Sequence, residues 1–327
     1  MNHTVSFRGT GREYFSVWIV NAMLKTVTLN VYSAWAKVRK RRYFAEKLFI
    51  DDEPFEYLAN PMTLFRGWLI AAAAFVIYMV TSHFSPLLSV GVMLVIAAFI
   101  PWVVVKSRIF NARNRAFRNI RFGFAPKYGE AYRVILGLSL LIPLTLGILL
   151  PYVMYRQKRF FVENSSYGTT QFSFKATPWE FYKIYLRLIL WVIALGLLSA
   201  VLIIAKMPKL GMLLPIAVYL VAIVYYKTAV ANLVWNRTEL GGIKFYSSMK
   251  TLDMCWLYLS SGIAVICSFG LLFPWASVRM MRYRCEHLVV RSREGIEKFV
   301  ADTTPVSTGA LGEEVGDMLG LDFDIAF

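Results

Sequence analysis

Six arginines stand out by their spacing. Arg39 and Arg42, Arg156 and Arg159, and Arg279 and Arg282 lie three apart, on one helix face just beyond an apolar segment. Such pairs can hold an anionic head group, a phosphate or a substrate carboxylate. They can equally fix topology and meet anionic lipid without selectivity, and their threefold recurrence favours that architectural role. Lys25 is the seventh candidate, because it interrupts an apolar stretch and an ionisable residue inside a membrane is a functional-site candidate by default. Its competing explanation is a lysine that reaches up to the interface. Asp253, at a segment end, reads as interfacial.

Little else carries chemistry. The motifs of nucleotide loops, dinucleotide folds, serine hydrolases and zinc proteases are all missing. His3, His83 and His287 are scattered and suggest no metal site. Cys255, Cys267 and Cys285 form no CxxC pair and read as structural thiols. No acidic ladder or histidine relay runs through the apolar segments, which argues against a proton-pumping path. The basic loop Arg108, Arg113, Arg115, Arg118 and Arg121 reads as topogenic and lipid-facing, not as a nucleic-acid site. The expectation is therefore a protein with no catalytic, cofactor or metal residues, in contact with anionic lipid head groups and no nucleic acid. A homo-oligomer is compatible with all of this, and a small-molecule substrate stays unidentified.

The elements that position these residues are membrane segments. The 327 residues are 57% hydrophobic and 17% charged, with mean hydropathy +0.52, against about 45–50% and 25% in soluble domains. Net charge is +16, but six acids and no base lie in residues 301–327, so residues 1–300 carry +22. A spanning helix needs about 20 apolar residues. Nothing is charged between Arg66 and Lys106, and Pro86 marks a hairpin turn there; Arg187–Lys206 and Lys209–Lys227 form a second hairpin. Arg133–Arg156, Asp253–Arg279 and the weaker Glu13–Lys37 each bracket one more, giving about seven membrane-inserted segments. Tryptophan and tyrosine cluster at segment ends, as interfacial anchors do. The first 15 residues do not read as a cleaved signal peptide.

An internal repeat orders these segments. Thr28-Leu29-Asn30 with Trp35, Arg39, Arg42 and Tyr43 matches Thr145-Leu146-Gly147 with Tyr152, Arg156, Arg159 and Phe160, and again Ser268-Phe269-Gly270 with Trp275, Arg279, Arg282 and Tyr283. The offsets are 117 and 123, and the first also links Glu46 to Glu163, Phe55 to Phe172 and Pro61 to Pro178. The units expected are 1–115, 116–238 and a partial 239–292, followed by an acidic, flexible cytoplasmic tail, 293–327. Phe7-Arg8-Gly9, the run Thr28 to Arg39 and Arg42-Tyr43-Phe44 resemble the YjgN family of bacterial inner-membrane proteins, a family of unknown function. The resemblance spans residues 5–292. It implies a polytopic bacterial inner-membrane protein and supplies no activity or site residues.

Topology divides two ways. If all seven segments span, Lys and Arg outside the membrane split 23 to 12 and successive units are inverted. If the three motif segments dip in and return, the split is 33 to 2 and all units face one way. Charge favours the second arrangement and segment length the first. Val5 with Phe7, Phe55 with Tyr57, Phe122 with Phe124, Phe172 with Phe174 and Ile243 with Phe245 alternate at period two, predicting short strands at the membrane surface. The fold expected is otherwise all-α. Function is expected to be permeation or transport of a small, anionic solute along a polar path near Lys25 and the Thr/Ser-x-Gly/Asn breaks; the alternative is a non-transporting scaffold, lipid-binding or assembly protein.

Overall fold

The computed structural model describes residues 1–292, apart from the side chains of Pro208 and Leu213. The chain opens with strand β1 (Asn2–Phe7), helices α1 (Gly11–Val27) and α2 (Ser33–Glu46), and the hairpin β2 (Leu48–Ile50) and β3 (Glu53–Tyr57). Two long helices follow, α3 (Pro61–Phe84) and α4 (Pro86–Arg113), and return the chain to β4 (Arg115–Phe117) and β5 (Ile120–Phe124). The next stretch begins with α5 (Tyr128–Ala131), a π-helical turn Tyr132–Gly137 and α6 (Leu138–Leu144). It continues through α7 (Leu150–Glu163), β6 (Ser165–Tyr167), β7 (Thr170–Phe174), α8 (Pro178–Ile204), α9 (Pro208–Asn236), β8 (Thr238–Leu240) and β9 (Ile243–Ser247). Helices α10 (Thr251–Cys267) and α11 (Phe273–Glu286) lead to β10 (Leu288–Arg291).

The ten strands close into one antiparallel barrel in the order β1-β10-β9-β8-β7-β6-β5-β4-β3-β2. This corrects the expected all-α fold with strands as surface accessories. Val5 pairs with Ile50 on one side of β1, and Asn2 pairs with Arg291 on the other, so first and last strands seal the barrel. Alternate residues point inward, and Phe7, Leu48, Phe117, Tyr167, Leu240, Phe245 and Val290 fill the interior with Phe55, Phe122 and Phe172 packed against them. The outward positions Glu53, Arg121, Gln171, Lys244 and Arg291 are exposed. A membrane barrel carries the opposite pattern, an apolar outside, so this barrel is a water-facing one with a dry core. Its hairpins turn on left-handed residue pairs, Asp51-Asp52, Arg118-Asn119 and Gly241-Gly242, whose twist suits two-residue connections between antiparallel strands.

Among the described residues four helices are long and apolar enough to cross a membrane: α3, α4, α8 and α9. The three motif segments are broken instead. Leu29 and Asn30 take φ of 47° and 70°, Leu146 and Gly147 50° and 82°, and Phe269 and Gly270 50° and 87°. At each break the second of these residues donates its N–H five residues back, Asn30 to Lys25 at 2.7 Å, Gly147 to Ile142 at 3.0 Å and Gly270 to Val265 at 2.8 Å. The left-handed pair thus closes the first helix in the manner of a Schellman cap. One hydroxyl then serves both helices. Thr28 Oγ1 donates to the Leu24 carbonyl and accepts from Tyr32 N–H at 3.0 Å. Thr145 and Ser268 accept in the same way from Leu149 and Leu272. Both flanks of every break lead back to barrel strands, so each motif segment leaves the barrel and returns to it.

Candidate anion-binding site

Where α4, α7, α9, α10 and α11 approach the barrel they enclose a cavity of about 540 Å³. Four basic residues line it: Arg108 from α4, Lys158 from α7, Lys227 from α9 and Arg284 from α11; none of its described lining residues is acidic. Arg108 and Lys158 sit five residues before the ends of their helices, which places both roughly 7–8 Å from the barrel rim. Lys227 lies farther along α9, nine residues before its end, and Arg284 two before the end of α11. The guanidinium of Arg108 rests 4.5 Å from the Phe161 ring centre.

Lys158 is half-buried in solvent terms, and the surface it keeps belongs to the cavity wall. Burial, followed by the positive charge of Arg108, pushes its ammonium down from 10.5 to about 8. A charge so disfavoured usually has a carboxylate partner. Here the surroundings add another cation. The remaining wall is apolar and aromatic, with Met154, Val162, Val230, Val234, Trp235, Met249, Met254 and Leu288, and with Tyr226 and Tyr258 adding rings. Two polar lining groups are already engaged: Thr228 donates to the Val224 carbonyl at 2.8 Å and Ser247 to Asn232 Oδ1 at 2.6 Å. The Cys285 thiol is buried, and burial pushes it up to about 12. It stays protonated at neutral pH and is no nucleophile.

None of the seven residues singled out in the sequence lines this cavity. Lys25 sits half-buried in the last turn of α1, where a cation complements the helix C-terminus. Arg39 and Arg42 are exposed on α2 and Arg156 is half-buried on α7. Arg159 pairs with Glu163 at 2.9 Å and reaches the Tyr155 hydroxyl. Arg279 donates to Ser260 at 2.7 Å and lies over Trp275, and Arg282 donates to the Gly9 carbonyl at 3.0 Å. Arg279 and Arg282 thus tie neighbouring elements together, and Arg159 braces its own helix.

Sequence alone gives Arg108 only as part of a topogenic loop and Lys227 only as the end of an apolar segment, and it does not single out Lys158 or Arg284. A signal for three of them exists in the repeat, through the offsets 117 and 123 for Arg284 and, for Lys227 and Arg108, through 122, the spacing of the hairpin ends Asn114-Arg115 and Asn236-Arg237. Arg284 falls in the column of Phe161 and Phe44, Lys227 in that of Val105, and Arg108 in that of Val230. Each is a charge where the corresponding position is apolar, the criterion that had drawn attention to Lys25.

Residues 2–318 match the profile of DUF898, described as a bacterial protein of unknown function. The chain belongs to this family. Among curated proteins it is 32% identical over 145 residues to the inner membrane protein YjgN of Salmonella typhimurium, covering 43% of this chain and 36% of that one. To YjgN of Escherichia coli it is 27% identical over 124 residues, covering 38% and 31%. The matched stretches thus span about a third of the length of the YjgN proteins, and the resemblance read from the motif residues stands. No solved structure matches this DUF898 chain.

Proposed function

We propose that this DUF898 chain is a multi-pass inner-membrane protein that binds a small anionic solute in the cavity and carries it across the bilayer. The observation that carries this reading is the gathering of four basic side chains, Arg108, Lys158, Lys227 and Arg284, with no acid among the described lining residues. Basic groups converging on a cavity with an apolar and aromatic wall favour an anionic ligand with an apolar part. The path is placed at this cavity and not at Lys25. Among the described lining residues there is no activated nucleophile or acid–base pair to favour a membrane enzyme.

The charge distribution supports an orientation. With the three motif segments returning to the barrel, 31 Lys and Arg of the described residues lie toward the barrel side, against Lys206 and Lys209 on the far side, which supports a cytoplasmic barrel. The break residues Leu29, Leu146 and Phe269 are 87%, 92% and 97% exposed, which suits tips immersed in hydrocarbon and not in water. Re-entrant backbone is tolerated at that depth when its polar groups are satisfied within the protein, as the cap hydrogen bonds at each break do. We read the units 1–115, 116–238 and 239–292 as copies of one ancestral segment, on the strength of the common element order and break geometry. The acidic tail, expected in the cytoplasm, lies outside the described residues.

The second reading is a non-transporting lipid-binding or assembly protein. The filled barrel favours it, because the interior offers no route to the water side. An unfolding screen separates anion binding from its absence. Purified protein in zwitterionic nanodiscs is heated at pH 7 with panels of anions and cations. Ligands that bind the folded state raise the unfolding temperature in proportion to occupancy. Stabilisation by anions alone, abolished in Arg284→Met, supports the site; indifference to every anion defeats it. Counterflow of a stabilising anion in proteoliposomes then favours transport, and binding without counterflow favours the second reading.

A further inference from the structure

We propose that the membrane region is a one-sided wedge, and that the partner it fits is a lipid surface curved convexly toward the barrel. The proposal rests on the re-entrant arrangement of the motif segments and is independent of the anion site. Five helical excursions leave the barrel, and all five meet its rim in the same register. Helices α1, α3, α5, α8 and α10 each begin after a link of three residues from β1, β3, β5, β7 and β9. Helices α2, α4, α7, α9 and α11 each end with one residue between them and β2, β4, β6, β8 and β10. All ten therefore share one base level, and their lengths give their heights.

The heights fall into two classes. The broken excursions rise through 17 residues each, Gly11–Val27, Tyr128–Leu144 and Thr251–Cys267, and return through the 14 residues of α2, α7 and α11. At 1.5 Å per residue their tips stand about 21–26 Å above the rim. Helices α3 and α4 have 24 and 28 residues, and α8 and α9 have 27 and 29, which carries their turns to about 36–44 Å. The mean difference, about 17 Å, is close to half of a roughly 30 Å hydrocarbon core. Charge marks where that core begins. Apart from Lys25, and Lys209 at the α8–α9 turn, every charged residue on these helices lies within nine residues of the rim end of its helix, or about 14 Å. A core running from about 14 to about 44 Å puts the hairpin turns at its far face. The break tips, 28–32, 145–149 and 268–272, carry no charge and fall near its middle. Among the described residues the barrel-side leaflet thus holds ten helix sections and the other leaflet four. Each section is about 10–12 Å across, so the six extra ones displace roughly 500–700 Å² of lipid from one leaflet only. An apolar insertion confined to one leaflet fits best where that leaflet is stretched, which is a bilayer convex toward it.

The test places the full chain, with its three cysteines replaced, in giant vesicles of zwitterionic lipid. Single cysteines are introduced at exposed positions as Glu53→Cys or Lys206→Cys. An impermeant fluorescent maleimide added outside marks barrel-outward molecules through Glu53→Cys and barrel-inward molecules through Lys206→Cys. A narrow lipid tether is then drawn, and the ratio of protein to lipid fluorescence is read on tether and vesicle. Barrel-outward molecules are expected to be enriched on the tether at least threefold, and barrel-inward molecules to be depleted. Equal ratios on tether and vesicle, or one response from both populations, would overturn the wedge while leaving re-entry standing. A chain carrying Glu53→Cys and Gln171→Cys together tests re-entry itself: each molecule should take two labels from outside or none. One label per molecule would overturn re-entry, and the wedge with it. Leu29→Asp, Leu146→Asp and Phe269→Asp combined should abolish the enrichment, and its persistence would assign it to the bulk of the barrel. The contrast between the two labelled populations needs no change at the tips, so the proposal stays falsifiable where that variant folds poorly.

Discussion

Replacing Lys158 with methionine is expected to strengthen the fold and weaken the site together. The lysine is held at about 8 in place of 10.5. At roughly 1.4 kcal/mol per pH unit, keeping it charged at neutral pH costs the folded protein about 3 kcal/mol. Its remaining exposure to the cavity lowers that figure through solvent screening, so about 2 kcal/mol is a fair expectation. Methionine fits the Met154 and Met254 surroundings without carrying a charge. The pH dependence has a fixed sign. Below pH 8 the lysine is charged in both folded and unfolded chains, and the whole penalty is present. Between pH 8 and 10.5 the folded chain sheds the proton while the unfolded chain keeps it, so the penalty fades and the unaltered protein gains stability. Above 10.5 it is gone. Unfolding temperatures in zwitterionic nanodiscs without added anions should therefore favour Lys158→Met at pH 7 by about 3 °C. At pH 10 the gap should nearly close. A variant less stable than the parent at pH 7, or a gap unchanged at pH 10, would refute the claim that this charge is uncompensated.

Other expectations concern the scaffold. A Cβ on Gly9 would meet the Phe7 ring and the Tyr43 hydroxyl at 2.7 Å, so Gly9→Ala should cost about 1–3 kcal/mol by thermal unfolding; Gly196→Ala, with open space around it, should cost nothing. Asn30, at φ 70°, should tolerate glycine with up to about 1 kcal/mol of gain, whereas Asn30→Val should lose about 1–2 kcal/mol, because a branched side chain resists the left-handed region. Thr28→Val removes the hydroxyl that Tyr32 N–H uses and should cost about 1 kcal/mol, measured in the same way.

Much of the local structure is legible in residue order. The Thr-Leu-Asn, Thr-Leu-Gly and Ser-Phe-Gly triplets mark the breaks, since asparagine and glycine are the residues that accept a left-handed backbone. Alternation marks β1, β3, β5, β7 and β9. Their partners β2, β4, β6 and β8 have three residues each and β10 four, too few for a period of two to register. Barrel closure is less visible still, because it joins Asn2 to Arg291 across nearly the whole chain and depends on packing that no local pattern encodes. Charge and length conflicted at the motif segments for a physical reason: an uncharged stretch long enough to span is also what two half-helices and a buried turn require. The site was missed for a related one. The repeated arginines catch the eye because they recur, yet Arg159, Arg279 and Arg282 serve structural contacts. The cavity is assembled from Arg108, Lys227 and Arg284, which break the repeat, together with Lys158, which falls in the column of Arg41.

That one barrel gathers both ends of every hairpin and motif segment on one side of the membrane is the claim on which orientation, re-entry and the position of the cavity all depend. Single cysteines in place of Glu53, Arg121, Gln171 and Lys244, exposed on β3, β5, β7 and β9, test it in a background with Cys255, Cys267 and Cys285 replaced. A membrane-impermeant maleimide is applied to intact spheroplasts and to inverted vesicles, with a cysteine at the exposed Lys206 of the α8–α9 turn marking the opposite face. All four barrel positions should label only in inverted vesicles, and position 206 only in spheroplasts. Labelling of the Glu53 and Arg121 positions from one side and of the Gln171 and Lys244 positions from the other would contradict the barrel and the parallel arrangement of the segments.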